Sequence, residues 1–183
     1  MLQNLKTKIF DINLILKKIE VKENDVVAEL GCGHFGYFVF PIAKLLSKQS
    51  TLYAIDIMPV VLDEIKKRAH TENLPQIKTI WSNLEIFKGT KIESSSVDIA
   101  LLINILNQSE KKVEILREAV RLVKSGGKIL VVDWKRDALL FGPKLENRVN
   151  IEAFKQIVPK LGLTITQEFE VGERYHAFLL KKL

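Results

Sequence analysis

The sequence predicts an α/β protein with a doubly wound, mainly parallel seven-stranded sheet, helices on both faces and an antiparallel C-terminal strand. Strand-like apolar runs alternate with amphipathic segments along the chain, which is the order typical of a parallel sheet. The segment Val97–Ile103, which is continuously apolar after Asp98, is typical of a central parallel strand buried on both faces. A short turn that contains Gly172 joins the last two strand-like runs and indicates that they pair antiparallel.

Helices are predicted from apolar spacing and from the positions of proline and glycine. One apolar stripe recurs every three or four residues near the N-terminus and indicates an amphipathic helix there: Leu5, Ile9, Ile12, Leu16 and Ile19. Pro59 is typical of a first helical turn and predicts a helix over Pro59–His70. The remaining helices are predicted over residues 37–48, with Pro41 near the first turn, over Val113–Val123, ended by Gly126 and Gly127, and over Ile151–Leu161.

The other strands are predicted from short segments rich in apolar and β-branched residues. These segments are Val26–Leu30, Thr51–Ile55, Ile77–Trp81, Lys128–Asp133, Leu163–Phe169 and His176–Leu180. Ligands of a doubly wound sheet bind at the carboxyl ends of the strands, where the strand order reverses. Residues that directly follow the strands are therefore the first candidates for a functional site.

Length and composition indicate one folded domain over residues 1–183, with residues 1–20 as an N-terminal helical lid. The chain of 183 residues is 47% hydrophobic and 27% charged, which excludes a disordered protein. No apolar run approaches the roughly 20 residues of a membrane-spanning helix. The N-terminal segment also lacks the uncharged core of a signal peptide. We therefore expect no membrane span.

The cysteine content indicates the redox environment of the protein, and the net charge indicates which classes of partner it could bind. Cys32 is the single cysteine, which excludes an intrachain disulfide and a cysteine-based zinc site and favours a reducing, cytoplasmic setting. We expect no bound metal. The formal net charge is +6, but the basic residues form scattered pairs rather than one block. A nucleic-acid partner is therefore left open but not favoured, and the oligomeric state is not indicated.

A glycine motif follows the first predicted strand. Gly31-Cys32-Gly33-His34-Phe35-Gly36 has the pattern G-x-G-x-x-G, and Asp56 lies 20 residues further on, at the end of the second strand. Glycines in this pattern let the backbone approach a ligand closely, and a carboxylate at the second strand end can accept bonds from a ribose diol. This spacing alone is compatible with an NAD-binding protein.

An acidic residue before the glycines argues against a dinucleotide. Glu29 lies two residues before Gly31, where its carboxylate would repel a pyrophosphate. S-adenosylmethionine carries no phosphate, and its sulfonium and ammonium groups are both positive. The position of Glu29 therefore favours this cationic nucleoside as the ligand.

Five segments together resemble the class I S-adenosylmethionine-dependent methyltransferases, in particular the type-11-like branch that acts on small molecules. Glu29–Gly36 resembles the family's motif I, usually written (D/E)-x-G-x-G-x-x-G. The further segments lie in the family's order and spacing: Tyr53–Ile57, Trp81–Leu84, Ser96–Leu101 and Leu122–Leu130. The resemblance implies a Rossmann-like fold and a methyl transfer that leaves S-adenosylhomocysteine.

The resemblance also implies roles in cofactor binding. The backbone of Gly31, Cys32 and Gly33 would contact the methionine part of the cofactor, and Glu29 would act there directly or through water. Asp56 would accept both ribose hydroxyls. Ile57 and Met58 would flank the adenine, and the Leu84 N–H would meet its ring. Ile103 and Asn104 would lie beside the cofactor's amino group.

One position departs from the family. Asn83 stands where the family commonly has an acidic residue near the adenine. The amide oxygen of Asn83 can still accept a hydrogen bond from the adenine amino group, so the residue is retained as a cofactor contact.

No catalytic residue is identified from the sequence. Direct displacement at the sulfonium methyl needs no covalent enzyme intermediate, so proximity, orientation and exclusion of water carry the catalysis. Relatives often have a histidine near position 107, where this chain has Asn107. The remaining candidates for an acid–base role are Asp133, Asn107 and His34.

The methyl acceptor is predicted to be small and apolar or aromatic. Aromatic residues are expected at the rim of the site: Phe35, Tyr37, Phe38, Trp134 and Phe141. Arg148, together with Lys135 and Arg136, is a candidate for holding an anionic group. Alternatives left open are an RNA or protein methyltransferase, suggested by the net charge, and a cofactor-binding regulatory subunit without catalysis. An NAD-binding module is the weakest alternative because of Glu29.

Overall fold

The computed structural model describes residues 11–136 and 142–183 and contains the predicted seven-stranded mixed sheet. The strands are β1 (Val26–Leu30), β2 (Thr51–Asp56), β3 (Ile77–Trp81), β4 (Val97–Ile103), β5 (Val123–Trp134), β6 (Leu163–Val171) and β7 (Tyr175–Lys182). The helices are α1 (Ile12–Ile19), α2 (Val39–Ala43), α3 (Pro59–Thr71), α4 (Lys112–Leu122) and α5 (Ile151–Ile157). Short 3₁₀ turns occupy Leu106–Gln108, Leu145–Asn147 and Pro159–Leu161.

The sheet order is β3-β2-β1-β4-β5-β7-β6. The first five of these strands in that order run parallel, whereas β7 pairs antiparallel with both β5 and β6. Strand β1 lies between β2 and β4, so the direction of strand order reverses at β1. That reversal places the predicted glycine motif at the point where ligands of such sheets bind.

Two hydrophobic clusters cover the two faces of the sheet. Residues of α1, α2 and α3 pack on one face, with Ile15 and Ile19 of α1 completely buried. Residues of α4 and α5 pack on the other face. The described part of the predicted N-terminal lid is therefore anchored in the core, while residues 1–10, with Leu5 and Ile9, lie outside the described residues.

The predicted helix over residues 37–48 is wrong in length, because α2 covers only Val39–Ala43. Pro41 has no N–H to donate to a helical hydrogen bond. Directly after α2 the Leu45 N–H donates to the Ile42 carbonyl at 2.9 Å, which is the three-residue spacing of a turn rather than that of an α-helix. The Ser47 N–H then donates to the Glu23 carbonyl at 2.8 Å and draws the chain back towards the start of β1.

The prediction that Gly126 and Gly127 end a helix is also wrong. Helix α4 ends at Leu122, where the Lys182 ammonium group donates to the carbonyls of Val120 and Val123. Strand β5 begins at Val123 and includes both glycines. A Cβ atom on Gly127 would lie 2.8 Å from the Asp98 carbonyl oxygen, so this position needs glycine for the close approach of β4. Pro159 similarly separates α5 from the 3₁₀ turn that follows it, which shortens the predicted helix over Ile151–Leu161.

Glu29, at the end of β1, is a buried carboxyl group rather than a solvent-facing one. Its side chain is 3% exposed and accepts a hydrogen bond from the Val39 N–H at the start of α2. The second oxygen, Oε2, has no hydrogen-bond partner among the described residues. Burial raises the pKa of Glu29 well above its ordinary value of 4.5; the Val39 N–H opposes this shift and the charge of Asp56 adds to it.

Replacing Glu29 by glutamine should remove a pH-dependent loss of stability. Because the pKa is raised in the folded protein, the folded state keeps a proton that the unfolded state releases above about pH 4.5. The wild-type free energy of unfolding should therefore fall with rising pH, by up to about 1.4 kcal/mol per pH unit relative to Glu29→Gln.

Urea unfolding at several pH values between about 5 and 8 measures this difference. The matched control is Glu93→Gln, which changes an exposed glutamate and should follow the wild-type pH profile. Parallel profiles for the wild type and Glu29→Gln would contradict the expectation.

Candidate functional site

A cavity of about 340 Å³ lies at the carboxyl ends of β1 to β4. Eight of the residues singled out from the sequence line it: Gly31, Gly33, His34, Asp56, Ile57, Met58, Asn83 and Leu84. Its lining includes the carboxylates of Asp56 and Glu85 but no lysine or arginine. Among the described residues the cavity therefore favours a neutral or cationic ligand over a polyanion.

The glycine loop is held against β2. The N–H groups of Gly31 and Cys32 both donate to the Ile55 carbonyl, at 2.8 and 3.0 Å. Gly31 has a φ angle of +84°, and a Cβ atom there would lie 2.6 Å from Cδ1 of Ile105. Gly33 has a φ angle of +63° with open space beside it. The loop therefore packs tightly against the segment after β4 while its middle leaves room for a ligand.

Asp56 is fixed by two backbone N–H groups, one from the glycine loop and one from its own segment. Its Oδ2 accepts from the Gly33 N–H and its Oδ1 accepts from the Met58 N–H, both at 3.0 Å. Each carboxylate oxygen can accept more than one hydrogen bond. The carboxylate is thus oriented by the fold and still has the capacity to accept hydroxyl groups from a ligand.

Much of the cavity lining is apolar, and we call this part of the lining the slot. It consists of Ile57, Met58, Val61, Leu84, Ile105 and Ile115. The indole N–H of Trp81 donates to the Ile57 carbonyl at 2.8 Å and holds this segment beside β3. The slot has the character of a site for a flat, mostly apolar group next to the Asp56 carboxylate.

Two polar residues follow β3 and line the same cavity. The Oδ1 atom of Asn83 accepts from the Glu85 N–H at 2.9 Å. Ser82 is 1% exposed, and its hydroxyl has no partner among the described residues. Across the cavity, the Ser109 hydroxyl donates to the Glu85 carboxylate at 2.7 Å and joins the segments that follow β3 and β4.

Four predicted cofactor contacts do not line the cavity: Glu29, Cys32, Ile103 and Asn104. Burial raises the pKa of the Cys32 thiol far above its ordinary range, as do the nearby charges of Glu29 and Asp56, and this makes Cys32 a poor nucleophile. Ile103 packs in the core.

Asn104 has a φ angle of +55° and a buried Oδ1 without a partner among the described residues. Its amide hydrogen-bonds the phenol of Tyr175, which is 2% exposed; burial raises the pKa of Tyr175 and this bond lowers it. The pair lies where β4 ends and β7 begins, outside the cavity lining.

The structure joins two of the acid–base candidates into one buried pair. Asp133, which is 4% exposed, accepts from the side-chain amide of Asn107 at 2.9 Å and from its backbone N–H at 3.1 Å. Burial raises the pKa of Asp133, and these bonds together with one from the Trp134 N–H oppose the shift. The pair connects the end of β5 to the 3₁₀ turn after β4 and does not line the cavity.

The third candidate, His34, lies on the cavity wall. Its Nδ1 is 3.0 Å from the Glu64 carboxylate of α3, and both side chains are about half exposed. His34 is thus close to a ligand in the cavity but already has a partner on the solvent side.

The predicted aromatic rim divides into separate groups. Phe35 and Tyr37 are 66% and 59% exposed, with ring centroids 5.3 Å apart. Phe38 is instead a core residue. Trp134 packs against Tyr175 with a centroid distance of 4.7 Å. Phe141 lies outside the described residues.

The expectation that Arg148 is available to hold an anionic ligand is not supported. Its guanidinium group donates to the main-chain carbonyls of Pro143, Lys135 and Arg136, at 3.0 to 3.1 Å. These bonds link the segment before α5 to the end of β5, so the side chain has a structural role. Lys135 also has a partner, because its ammonium group pairs with Glu170 at 2.6 Å.

Several cavity residues were missed from the sequence. Ser82 directly follows β3 and could have been found by counting strand-end positions, as could Ile105 after β4. No signal in the sequence could have found three others, Gln108, Ser109 and Ile115. They reach the cavity because the 3₁₀ turn after β4 and helix α4 fold back towards it. Within residues 11–136 and 142–183, no helix is long and apolar enough to cross a membrane, and no group of metal-ligating side chains is found.

Comparison with known proteins identifies the protein family to which the chain is similar. A family model described as a methyltransferase domain matches residues 21–170. Among curated proteins, an uncharacterized protein of Methanocaldococcus jannaschii is 29% identical over 130 residues, which cover 71% of this chain and 50% of that protein. A second curated relative, from a transposon of Streptomyces fradiae, is 24% identical with 37% of its length covered. The chain thus spans half or less of the length of these relatives.

Solved structures share the fold. A SAM-dependent methyltransferase from Aquifex aeolicus superposes with a TM-score of 0.83 at 20% identity, covering 95% of this chain and 90% of that one. A putative type 11 methyltransferase from Sulfolobus solfataricus gives a TM-score of 0.73 at 22% identity, covering 93% and 90%. Since the family model spans well over half of the chain, the chain belongs to the methyltransferase-domain family, as its glycine motif predicted.

Proposed function

We propose that this protein is an S-adenosylmethionine-dependent methyltransferase that acts on a small apolar or aromatic acceptor. The observation that carries the proposal is the Asp56 carboxylate, oriented by the N–H groups of Gly33 and Met58 beside an apolar slot. A carboxylate fixed in this way suits a ribose diol, and the slot suits a purine ring.

The residues present fit this cofactor better than a dinucleotide. The cavity lining has no lysine or arginine to neutralise a pyrophosphate. The carboxylates of Asp56 and Glu85 do line the cavity, and they favour a cation such as S-adenosylmethionine. At the end of β4, Asn104 Oδ1 is a buried acceptor without a partner among the described residues, and such an atom favours a nearby hydrogen-bond donor.

The chain contributes binding, orientation and exclusion of water to the reaction. The cofactor supplies a methyl group already activated by its sulfonium. Asp56 and the slot hold the nucleoside, while the glycine loop leaves space at Gly33 for the attached chain. Correct alignment of the acceptor with the methyl group accounts for most of the rate enhancement. Asp133 and Asn107 act as positioning residues, because their mutual hydrogen bonds hold the turn after β4.

The acceptor preference rests on the Phe35–Tyr37 pair. These rings are exposed although aromatic, and they belong to the loop that also lines the cavity. An exposed aromatic pair next to a cofactor cavity favours a planar or apolar acceptor. A reducing, cytoplasmic setting is part of the proposal because Cys32 is the single cysteine.

Removing the charge of Asp56 should abolish most of the cofactor affinity. Asp56→Asn keeps the shape but loses one acceptor oxygen and the charge, so binding of S-adenosylhomocysteine should weaken by roughly 10- to 100-fold. Isothermal titration calorimetry measures the dissociation constants, with Asp63→Asn on the exposed side of α3 as the matched control. Binding of NAD by the wild type, with no binding of S-adenosylhomocysteine, would overturn the proposal.

Removing the exposed aromatic rings should weaken binding of the methyl acceptor and leave binding of the cofactor unchanged. In a screen for transfer of labelled methyl groups, Phe35→Ala and Tyr37→Ala should each raise the KM for an apolar acceptor by about tenfold, the worth of one buried aromatic contact. The affinity for S-adenosylhomocysteine should stay unchanged.

Phe87→Ala, another exposed phenylalanine outside the cavity lining, serves as the matched control and should change neither constant. Methyl transfer to RNA or protein, but to no small molecule, would contradict the acceptor class. Cofactor binding without transfer to any acceptor would instead favour a regulatory subunit.

A further inference from the structure

Three ionisable side chains line the cavity within the described part of the chain: His34, Asp56 and Glu85. Both oxygens of Asp56 accept backbone N–H groups, and the proposed function uses this carboxylate for the ribose. Glu85 accepts from the Ser109 hydroxyl at 2.7 Å and lies 3.7 Å from the Lys111 ammonium group. Of these three groups, His34 is the one that neither the cofactor nor a cation of the chain takes up.

The hydrogen bond of His34 decides which of its ring nitrogens can take a proton. Its Nδ1 lies 3.0 Å from the Glu64 carboxylate of α3. A carboxylate only accepts hydrogen bonds, so Nδ1 carries the proton and the neutral ring has its lone pair on Nε2. Nε2 has no hydrogen-bond partner among the described residues. This tautomer is the one that a general base needs.

The loop that carries His34 is held against α3 at two positions one helical turn apart. Glu64 binds the His34 ring, and the Arg68 guanidinium group donates to the Phe35 carbonyl at 3.1 Å. Phe35 and Tyr37, the proposed acceptor contacts, belong to the same loop. An acceptor that packs on these rings therefore lies beside the imidazole of His34.

Carboxylates face His34 from two elements of the fold. Glu64 approaches from α3, and Asp56 lines the same cavity from the end of β2. The nearby cation Arg68 is itself paired with Glu72 at 2.7 Å. A positive charge that forms on the ring during proton transfer therefore has an anionic partner in place.

We propose that His34 is a catalytic residue, the general base that takes the proton of an aromatic hydroxyl acceptor, and that Glu64 is a positioning residue that holds its ring. This inference rests on the proposed function and adds to it the acceptor class and the group that deprotonates the acceptor. A phenol-type hydroxyl suits both features of the loop. Its ring is planar, and its oxygen keeps a proton near neutral pH, as the tyrosine hydroxyl does.

The proton and the methyl group move without any further reactant. The O–H bond of the acceptor breaks, and its proton goes to Nε2 of His34. The acceptor oxygen forms a bond to the methyl carbon while the bond from that carbon to sulfur breaks. The electron pair of the broken bond stays on sulfur, which leaves S-adenosylhomocysteine. The His34 ring is about half exposed, so it can then release the proton to water.

The tautomer of His34 can be measured without any acceptor. In protein labelled with ¹⁵N-histidine, nuclear magnetic resonance should show the neutral ring protonated on Nδ1, and the spectrum of His34→Gln assigns its signals. Glu64→Ala removes the group that holds the proton on Nδ1, so this form should no longer predominate. A wild-type ring protonated on Nε2 would contradict the proposal, because its lone pair would face Glu64.

Matched acceptors distinguish a base from a loop contact. Phenol and 2-naphthol keep their proton at slightly alkaline pH, whereas thiophenol and 2-naphthalenethiol are largely ionised there and need no base. His34→Gln should lower kcat for the hydroxyl acceptors by about 100-fold and leave kcat for the thiols within about twofold of the wild type. Glu64→Gln should lower kcat for the hydroxyls alone, by about tenfold, because a neutral amide cannot balance the charge on the ring.

Two further measurements control for structural damage. His70→Gln and Asp63→Asn change exposed residues of α3 outside the cavity lining, and they should leave kcat for both classes of acceptor unchanged. Free imidazole should restore part of the transfer to phenol in His34→Ala, which a loop contact alone would not allow. Binding of S-adenosylhomocysteine, measured by calorimetry, should stay close to the wild-type affinity in every variant.

The outcomes separate this inference from the proposed function. Equal losses with hydroxyl and thiol acceptors in His34→Gln would show that the ring only holds the loop, and the inference would be wrong. Transfer by the wild type to none of the aromatic hydroxyls would overturn it too, while binding of S-adenosylhomocysteine left the cofactor assignment standing. A wild type that does not bind S-adenosylhomocysteine would overturn the proposed function, and the inference with it.

Discussion

The reversal of strand order at β1 is the constraint on which the rest of the site depends. Because β2 and β4 flank β1, the chain leaves β1 towards α2 on one face of the sheet, and the segment after β4 leads to α4 on the other. The two segments diverge and leave a crevice at the carboxyl ends of the strands. At Gly31 the loop after β1 approaches Ile105, in the segment after β4, too closely for any side chain.

Local polar groups, rather than long-range charge, shape this crevice. Asp56 ties the glycine loop to the start of α3, while buried Glu29 ties β1 to the start of α2. Further from the cavity, the buried carboxylate of Glu118 accepts from the backbone N–H groups of Lys88 and Thr90 and pairs with Arg121, which holds the segment before β4. Burial raises the pKa of Glu118, but these bonds outweigh it and lower the pKa overall. Such anchors keep the loops that line the cavity in place without using the groups that face it.

Much of the fold could be predicted from residue pattern and turn residues, because strands are rich in apolar and β-branched residues and are separated by glycine, proline and polar residues. Val26–Leu30, Ile77–Trp81 and Val97–Ile103 were predicted with the bounds that the structure gives them. The errors arose where tertiary contacts outweighed local pattern. Gly126 and Gly127 resemble a helix end in sequence, yet pairing with β4 draws them into β5. The helix predicted over residues 37–48 ends early, and one backbone hydrogen bond, from the Ser47 N–H to the Glu23 carbonyl, connects the chain after it to a distant segment.

The sequence by itself determined the class of fold, the place of the glycine loop and the acidic strand ends, because these depend on residue type and spacing along one segment. Only the tertiary structure decided what each polar group is paired with. Asn107 and Asp133 lie 26 residues apart but form one pair, and Arg148 is taken up by main-chain carbonyls. The Asn83 side-chain oxygen already accepts a hydrogen bond from the Glu85 N–H within the chain. Hydrogen-bond direction depends on atoms brought together by folding, and linear spacing carries no information about it.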